Sequence, residues 1–326
     1  MLRIVKKQMP SPLKVAGIRT VAVLLSLLTA AALVALLGYD PIKVYTQMIL
    51  GALGSPYRFT EVLNKAIPLC IIALGISIAF RMKFWNIGAE GQIIMGAFCA
   101  SFLALKFPTL PQIILLPLMV LAGALGGGLW AFIPAWFKAK FNANETLFTL
   151  MLNYIALKWV TYLQYGPWRD PMALGFPKIA RFSTNAILPS LFGVHIGWIF
   201  ALVLVVLVTI FMKYTKKGYE VQVIGESENT ARYAGMNVKK IIVQAIFISG
   251  ALCGLTGMIQ ASALNNTLSV DIAGGIGFTG IIIAWLAGLS APVIMVTAFA
   301  FSIITQGGSY IQTAMQIPQT IAYMIQ

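Results

Sequence analysis

From Val21 to Leu37 the chain runs 17 residues with only Ser26 and Thr29 polar, and runs of this kind recur to its end. A segment like that has one comfortable solvent, the hydrocarbon of a bilayer, which an α-helix of about 20 residues crosses. The charge balance agrees. Only 10% of the 326 residues are charged, with 23 basic and 9 acidic side chains, where a soluble domain carries about a quarter. A net charge of +14 in a soluble chain would point to nucleic acid. Here it reads as basic loops that fix topology.

The pattern predicts an all-α polytopic transmembrane bundle of about 9–10 spans, near 20–38, 62–80, 87–105, 112–137, 145–165, 195–213, 241–261, 276–290 and 292–310, with a further segment from Met315. The N-terminal stretch has the basic flank of a signal peptide, but its apolar run exceeds a cleaved core, so it reads as a retained first helix. Residues 1–326 are read as one transmembrane domain, with a last span cut short at Gln326. Several apolar runs are too short to cross: Ile67–Ala79 and Ile93–Leu105 have 13 residues each, and Ile281–Leu289 has nine. Short, glycine-broken segments are expected to line a cavity. Two of them form a weak pseudo-repeat, GISIAFRMKFWNIGAEGQIIMGAF and LSVDIAGGIGFTGIIIAWLAG.

With the N-terminus inside and strict alternation, 15 of the 23 basic residues fall on the inner side, the bias expected of cytoplasmic loops. Residues 213–240 then form a cytoplasmic loop, and the proline-rich residues 166–194 an outer one; Pro167, Pro171 and Pro177 disfavour helix there. Within the inner loop Ser227 can cap a short helix that Gly235 ends. Such a helix on a basic loop is a docking element for a soluble partner.

Catalytic signatures are missing. The sequence holds no GxxxxGK[ST] phosphate loop, no HExxH, no Ser/His/Asp order and one histidine, His195. Cys70, Cys99 and Cys253 lie in apolar runs without CxxC spacing, which reads as packing and gives no metal site. The chain is read as a non-enzyme without a cofactor of its own.

The candidate pathway residues are neutral polar and aromatic groups at helix entries. In FWNIGAEGQ, Asn86 suits a helix cap, Gly88 and Gly91 allow close approach, and Glu90 carries a charge that must face a cavity or a partner helix. In NANETLFTLMLNY, Asn142 or Asn144 caps, Glu145 suits the helix dipole, and Thr149 and Asn153 share a face. Asp271 precedes a glycine-rich run with Phe278 and Thr279. The expected substrate pathway comprises Trp85, Asn86, Glu90, Gln92, Asn153, Phe278 and Thr279. Interhelical packing for the polar groups and interfacial anchoring for Trp85 and Phe278 are the alternatives.

Three blocks, FWNIGAEGQIIMGA, NETLFTLMLNYIA and GYEVQVIGESENTARYAGMNVKKIIVQAIFISGALCGLTGM, resemble the permease subunits of bacterial nucleoside and simple-sugar ABC importers, of the branched-chain amino acid and ribose permease superfamily. The resemblance runs from about Leu63 to Ala263. It departs from the family pattern in residues 271–291 and at the final span. It implies a multi-pass protein of the bacterial cytoplasmic membrane that forms the pathway for nucleosides, with ribose-like sugars or riboflavin as alternatives. It implies that Gly225, Glu226, Asn229, Ala231, Arg232, Tyr233, Ala234 and Gly235 couple to an ATPase, with Ala231, Tyr233 and Ala234 as the packed face. The implied partners are two ATP-binding subunits that carry ATP and Mg, a second and different permease, and an extracytoplasmic substrate-binding protein or lipoprotein. An ion-coupled carrier would need buried acidic relays, for which only Glu90 and Asp271 are available. A channel or structural subunit without substrate is the remaining class.

Overall fold

The computed structural model describes residues 12–317 and Thr320. The expected contribution of Arg3, Lys6 and Lys7 to the inner charge, and most of the segment expected from Met315 onward, lie outside those residues. Among the described residues the chain is mostly helical; residues 166–196 are the long exception, an irregular segment with one 3-10 turn, Thr184–Ala186, and one hairpin, Ser190–Leu191 with Val194–His195. Among the described residues five helices are long and apolar enough to cross a bilayer, and a sharply bent pair brings the number to six if it counts as one span. The chain is a multi-pass membrane protein.

Two compact units are present. The first holds residues up to 59 together with those from 303 onward. In it the chain bends by 115° between α1 (Pro12–Leu36) and α2 (Pro41–Leu53). The sequence reading left α2 unassigned, yet its start is fully signalled. Asp40 accepts from the amides of Ile42 and Lys43, and Pro41 occupies the first helical position. Val34, Val44, Met48 and Ile311 form its small buried core.

The second unit holds residues 60–302. It contains most of α3 (Pro56–Arg81), then α4 (Ala89–Lys106), α5 (Gln112–Phe141), α6 (Glu145–Tyr165), α7 (Gly197–Tyr214), α8 (Lys216–Glu226), α9 (Glu228–Tyr233), α10 (Val238–Ile259), α11 (Ile276–Leu286) and the first part of α12 (Ala291–Ala314). Each of the nine expected spans with stated bounds falls on one of these helices or on α1, though α4, α6 and α11 are not among the five that are long and apolar enough to cross; the further segment from Met315 lies mostly outside the described residues. Ala66 to Phe80 of α3 is buried on all sides, so its uniformly apolar sequence marks a central helix. By contrast, α7 exposes Leu202, Val203, Val206, Leu207 and Ile210, as a helix at the lipid boundary does.

The centre of this unit is a three-helix contact made by glycines. Gly123 of α5 lies against Met258 of α10, Gly127 against Gly250 and Gly254, and Gly128 against Phe247. Numbers rise on one helix as they fall on the other, so α5 and α10 are antiparallel. Gly96 of α4 faces Gly254 from the third side. Backbones approach this closely only where no Cβ intervenes. At its far end α10 widens into a π-helical turn, Gln260–Asn265, before the glycine-rich break that precedes α11.

Candidate functional site

The two glycine-rich breaks that echo one another in sequence meet in space. The first, residues 82–88, joins α3 to α4, and the second, residues 266–275, joins α10 to α11. Glu90, on the first turn of α4, carries the junction. Its Oε1 accepts from the Gly275 amide at 2.6 Å and its Oε2 from the Gly277 amide at 2.8 Å. The start of α11 has no side-chain cap from its own chain segment. A carboxylate from α4 takes that role and sits at the positive end of the helix dipole. A Cβ on Gly277 would come within 2.4 Å of Glu90 Oε2, so only glycine admits the carboxylate.

The other polar candidates hold the first break in shape. Asn86 was expected to cap α4; the cap position belongs to Gly88. Asn86 instead accepts from the Gly88 amide at 3.0 Å, and its amide pairs reciprocally with that of Gln92 at 3.0 and 3.2 Å. Both side chains are fully buried, which explains the correction: each satisfies the other where water does not reach. From α6, Asn153 accepts from the Gly91 amide at 2.8 Å and donates to the Ile87 carbonyl at 3.0 Å. Thr149, one turn earlier, accepts from the Ile87 amide at 3.3 Å. The shared face of Thr149 and Asn153 is thus a clamp on this loop. Asn144 caps α6, and Glu145 pairs with Lys138 at 2.9 Å.

The aromatic candidates are exposed beside this framework. Trp85 and Phe278 are each nearly half exposed. Trp85 stacks on Trp285 of α11 with centroids 5.8 Å apart, and both lie against Phe80. Trp285 was missed by the sequence reading; a tryptophan two turns after Phe278 on the same short helix was the available signal. Thr279 is partly exposed, with its hydroxyl 3.5 Å from the Gly275 carbonyl.

The basic loop carries two helices, where the sequence reading expected one. Thr215 caps α8 and Ser227 caps α9, the latter by accepting from the Thr230 amide at 3.2 Å. Gly235 ends the element at φ +73°, a conformation that glycine adopts without strain. Glu226, Asn229, Arg232, Tyr233, Ala234 and Gly235 face outward, and Tyr233 is 94% exposed. Ala231 was expected on the packed docking face, but it is fully buried and holds α9 onto its own unit. Gly225 is buried too; a Cβ there would lie 1.9 Å from the Arg81 carbonyl, so α8 rests directly on the end of α3. The Arg81 guanidinium in turn donates to the Leu289 carbonyl, between α11 and α12, at 2.8 Å.

Known proteins share this sequence over most of its length. The chain is 33% identical to the glucose ABC transporter permease protein TsgB13 of Haloferax volcanii, over 95% of this chain and 84% of that one. It is 30% identical to the nucleoside ABC transporter permease protein NupB of Lactococcus lactis, over 88% and 82%. It is 32% identical to the guanosine ABC transporter permease protein NupP of Bacillus subtilis, over 85% and 81%. Residues 58–326 match the family model described as branched-chain amino acid transport system / permease component, and the chain belongs to that family of ABC transporter permeases.

Proposed function

We propose that this chain forms the translocation pathway for nucleosides in an ATP-driven importer of the cytoplasmic membrane, with its N-terminus and α8–α9 on the cytoplasmic side. The observation that carries the substrate class is the half-exposed aromatic faces of Trp85, Phe278 and Trp285 beside a framework in which Glu90 is engaged by two amides and Arg81 by a carbonyl. A nucleoside is neutral, with a flat apolar base and hydroxyl edges. Aromatic faces with a few neutral donors and acceptors suit it. Trp85, Phe278 and Thr279 are the contacts in this reading, while Asn86, Glu90, Gln92 and Asn153 hold the wall behind them. Two of the three relatives above are named for nucleosides or guanosine. Glucose is the second reading, favoured by the identity to the glucose permease.

The working complex in this reading has two ATP-binding subunits, which bind the ATP and Mg, a second permease subunit and an extracytoplasmic binding protein. Proteoliposomes holding it are expected to take up labelled guanosine only with ATP and the binding protein, and unlabelled glucose in excess leaves that uptake unchanged. Uptake driven by an ion gradient without ATP would sink the proposal. Competition by glucose at guanosine-like concentrations would move the substrate to a sugar.

The contacts of α8 and α9 support a route for coupling. An ATPase that grips the outward face of α9 pushes α8, whose Gly225 bears on the Arg81 carbonyl, and Arg81 holds the turn after α11. Substituting Tyr233→Ala removes the largest exposed group of that face while leaving the buried Ala231 contact intact. Uptake is expected to fall at least about tenfold while the complex still hydrolyses ATP, because exposed tyrosines are frequent anchors of interfaces. Wild-type transport in this variant would place the grip elsewhere.

A further inference from the structure

We infer that the groove between α5 and α10, at the end marked by Lys140, Lys239 and Lys240, binds an anionic phospholipid. The antiparallel packing of α5 on α10 brings the last turn of α5 beside the first turn of α10. Two hollows open there. One, of about 570 Å³, is lined by Trp136, Lys140, Asn237, Lys239 and Lys240. The other, of about 650 Å³, is mainly apolar and is lined by Leu129 and Phe132 of α5, Phe247 and Ile248 of α10, Phe211 of α7, and Lys217 and Val221 of α8. They share Val243 and Gln244, so they adjoin along α10, the first basic and the second apolar.

That division is the chemistry of a phospholipid with a net negative headgroup. Acyl chains fill an apolar trough on a helix pair that crosses the membrane, and the phosphate reaches cations at the helix ends. The cations are free to take it. Lys138 is paired with Glu145 and Lys217 with Glu220. Among the described residues Lys140, Lys239 and Lys240 have no acidic partner within ion-pair distance. Lys140 lies over the Trp136 ring at 4.9 Å, where an indole at the polar boundary of the bilayer would stand. Asn237 is engaged through its carbonyl oxygen, which caps Lys240, and its amide remains available as a neutral donor at the same end. A neutral lipid fits the trough but leaves three neighbouring ammonium groups uncompensated.

The test uses the full chain purified in detergent and native mass spectrometry, titrated with phosphatidylglycerol and with phosphatidylcholine of the same acyl chains. Phosphatidylglycerol is expected to bind at least about tenfold more tightly, on the scale of several lysines each contributing to one anionic headgroup. Lys140→Gln, Lys239→Gln and Lys240→Gln together bring it down to phosphatidylcholine. Lys106→Gln, Lys158→Gln and Lys178→Gln together, an equal loss of charge outside the groove, leave the preference unchanged. Val243→Trp narrows the groove where its two parts join and weakens both lipids. Equal binding of the two lipids by the wild-type chain overturns the proposal, and so does a preference that survives the first triple variant. Displacement by inorganic phosphate at matched concentration would assign the lysines to a free anion. Lys239 and Lys240 protected from amine labelling in a lipid-free assembled complex would assign the groove to a partner subunit.

Discussion

Gly254→Leu is expected to abolish folded protein. The α-carbon of Gly254 lies where three helices converge. A Cβ there would come within 2.2 Å of the Gly123 carbonyl oxygen and 2.7 Å of Gly127 Cα, both backbone atoms of α5. From α4, a Cβ on Gly96 would meet Gly254 at 2.3 Å. No side-chain rotation relieves contacts with backbone, so the helices themselves must part. Overpacking a close-packed site costs about 1–3 kcal/mol even when neighbours can adjust. Here α4, α5 and α10 must separate together, against a net stability of only about 5–15 kcal/mol. Gly254→Ala should already lower the midpoint of thermal unfolding, followed by cysteine exposure or by light scattering in detergent, and Gly254→Leu should leave no monodisperse peak in size exclusion. The native Cys253, fully buried beside this contact, reports directly: its thiol should become reactive. Gly17→Leu, where a side chain meets nothing within 4 Å, is the control and should behave as wild type. A monodisperse Gly254→Leu protein with an unreactive Cys253 would show that the three helices do not meet as described.

How much of this was legible beforehand depends on which physical signal each element uses. The spans were legible because apolar runs and their glycine breaks are local properties. So was the start of α9, since Ser227 and Glu228 sit at fixed offsets from the helix they begin. The pairing of Thr149 with Asn153 followed from helical spacing alone. The Asn86–Gln92 pair did not: residues six apart share no helical face, and they meet only because a turn at Gly88 folds the chain back before α4. The role of Glu90 was half legible. A charge entering a span needs a partner, but the partner amides of Gly275 and Gly277 lie 185 and 187 residues away. Ala231 was misplaced because a six-residue helix has too few turns to show which side faces inward. For α8 the difficulty was composition, since KKGYEVQVIGE reads as a polar loop until Thr215 is seen to cap it. Glycines 123, 127, 250 and 254 stand four apart on each helix, a spacing visible in the sequence, but that spacing alone does not say which helix each pair faces.

Glu90→Gln is expected to stop transport while leaving the complex assembled. The carboxylate makes two charge-assisted bonds to the first amides of α11 and balances the positive end of that helix. Glutamine keeps one acceptor and turns an NH₂ group toward the second amide, so a donor faces a donor. One buried amide then goes unpaired, at about 1–3 kcal/mol, and the charge that balanced the dipole is gone. The loss falls on the start of the short α11, which has no side-chain cap from its own segment. The buried walls of α3, α4 and α10 do not depend on it, so expression and size-exclusion behaviour should match wild type. Since 1.4 kcal/mol is a factor of ten in an equilibrium, ATP-driven uptake should fall by about one to two orders of magnitude. Glu90→Asp retains the charge but reaches one amide less well, and should fall between the two. An Ile282→Cys probe on the exposed side of α11, combined with each variant in a background lacking Cys70, Cys99 and Cys253, separates a mispositioned helix from a lost contact. If Glu90 holds α11 in place, maleimide labelling at position 282 changes in rate together with uptake across the series. If Glu90 meets the substrate itself, uptake falls while the labelling rate stays fixed. Undiminished uptake in Glu90→Gln would show that the junction of the two breaks is packing without a part in transport.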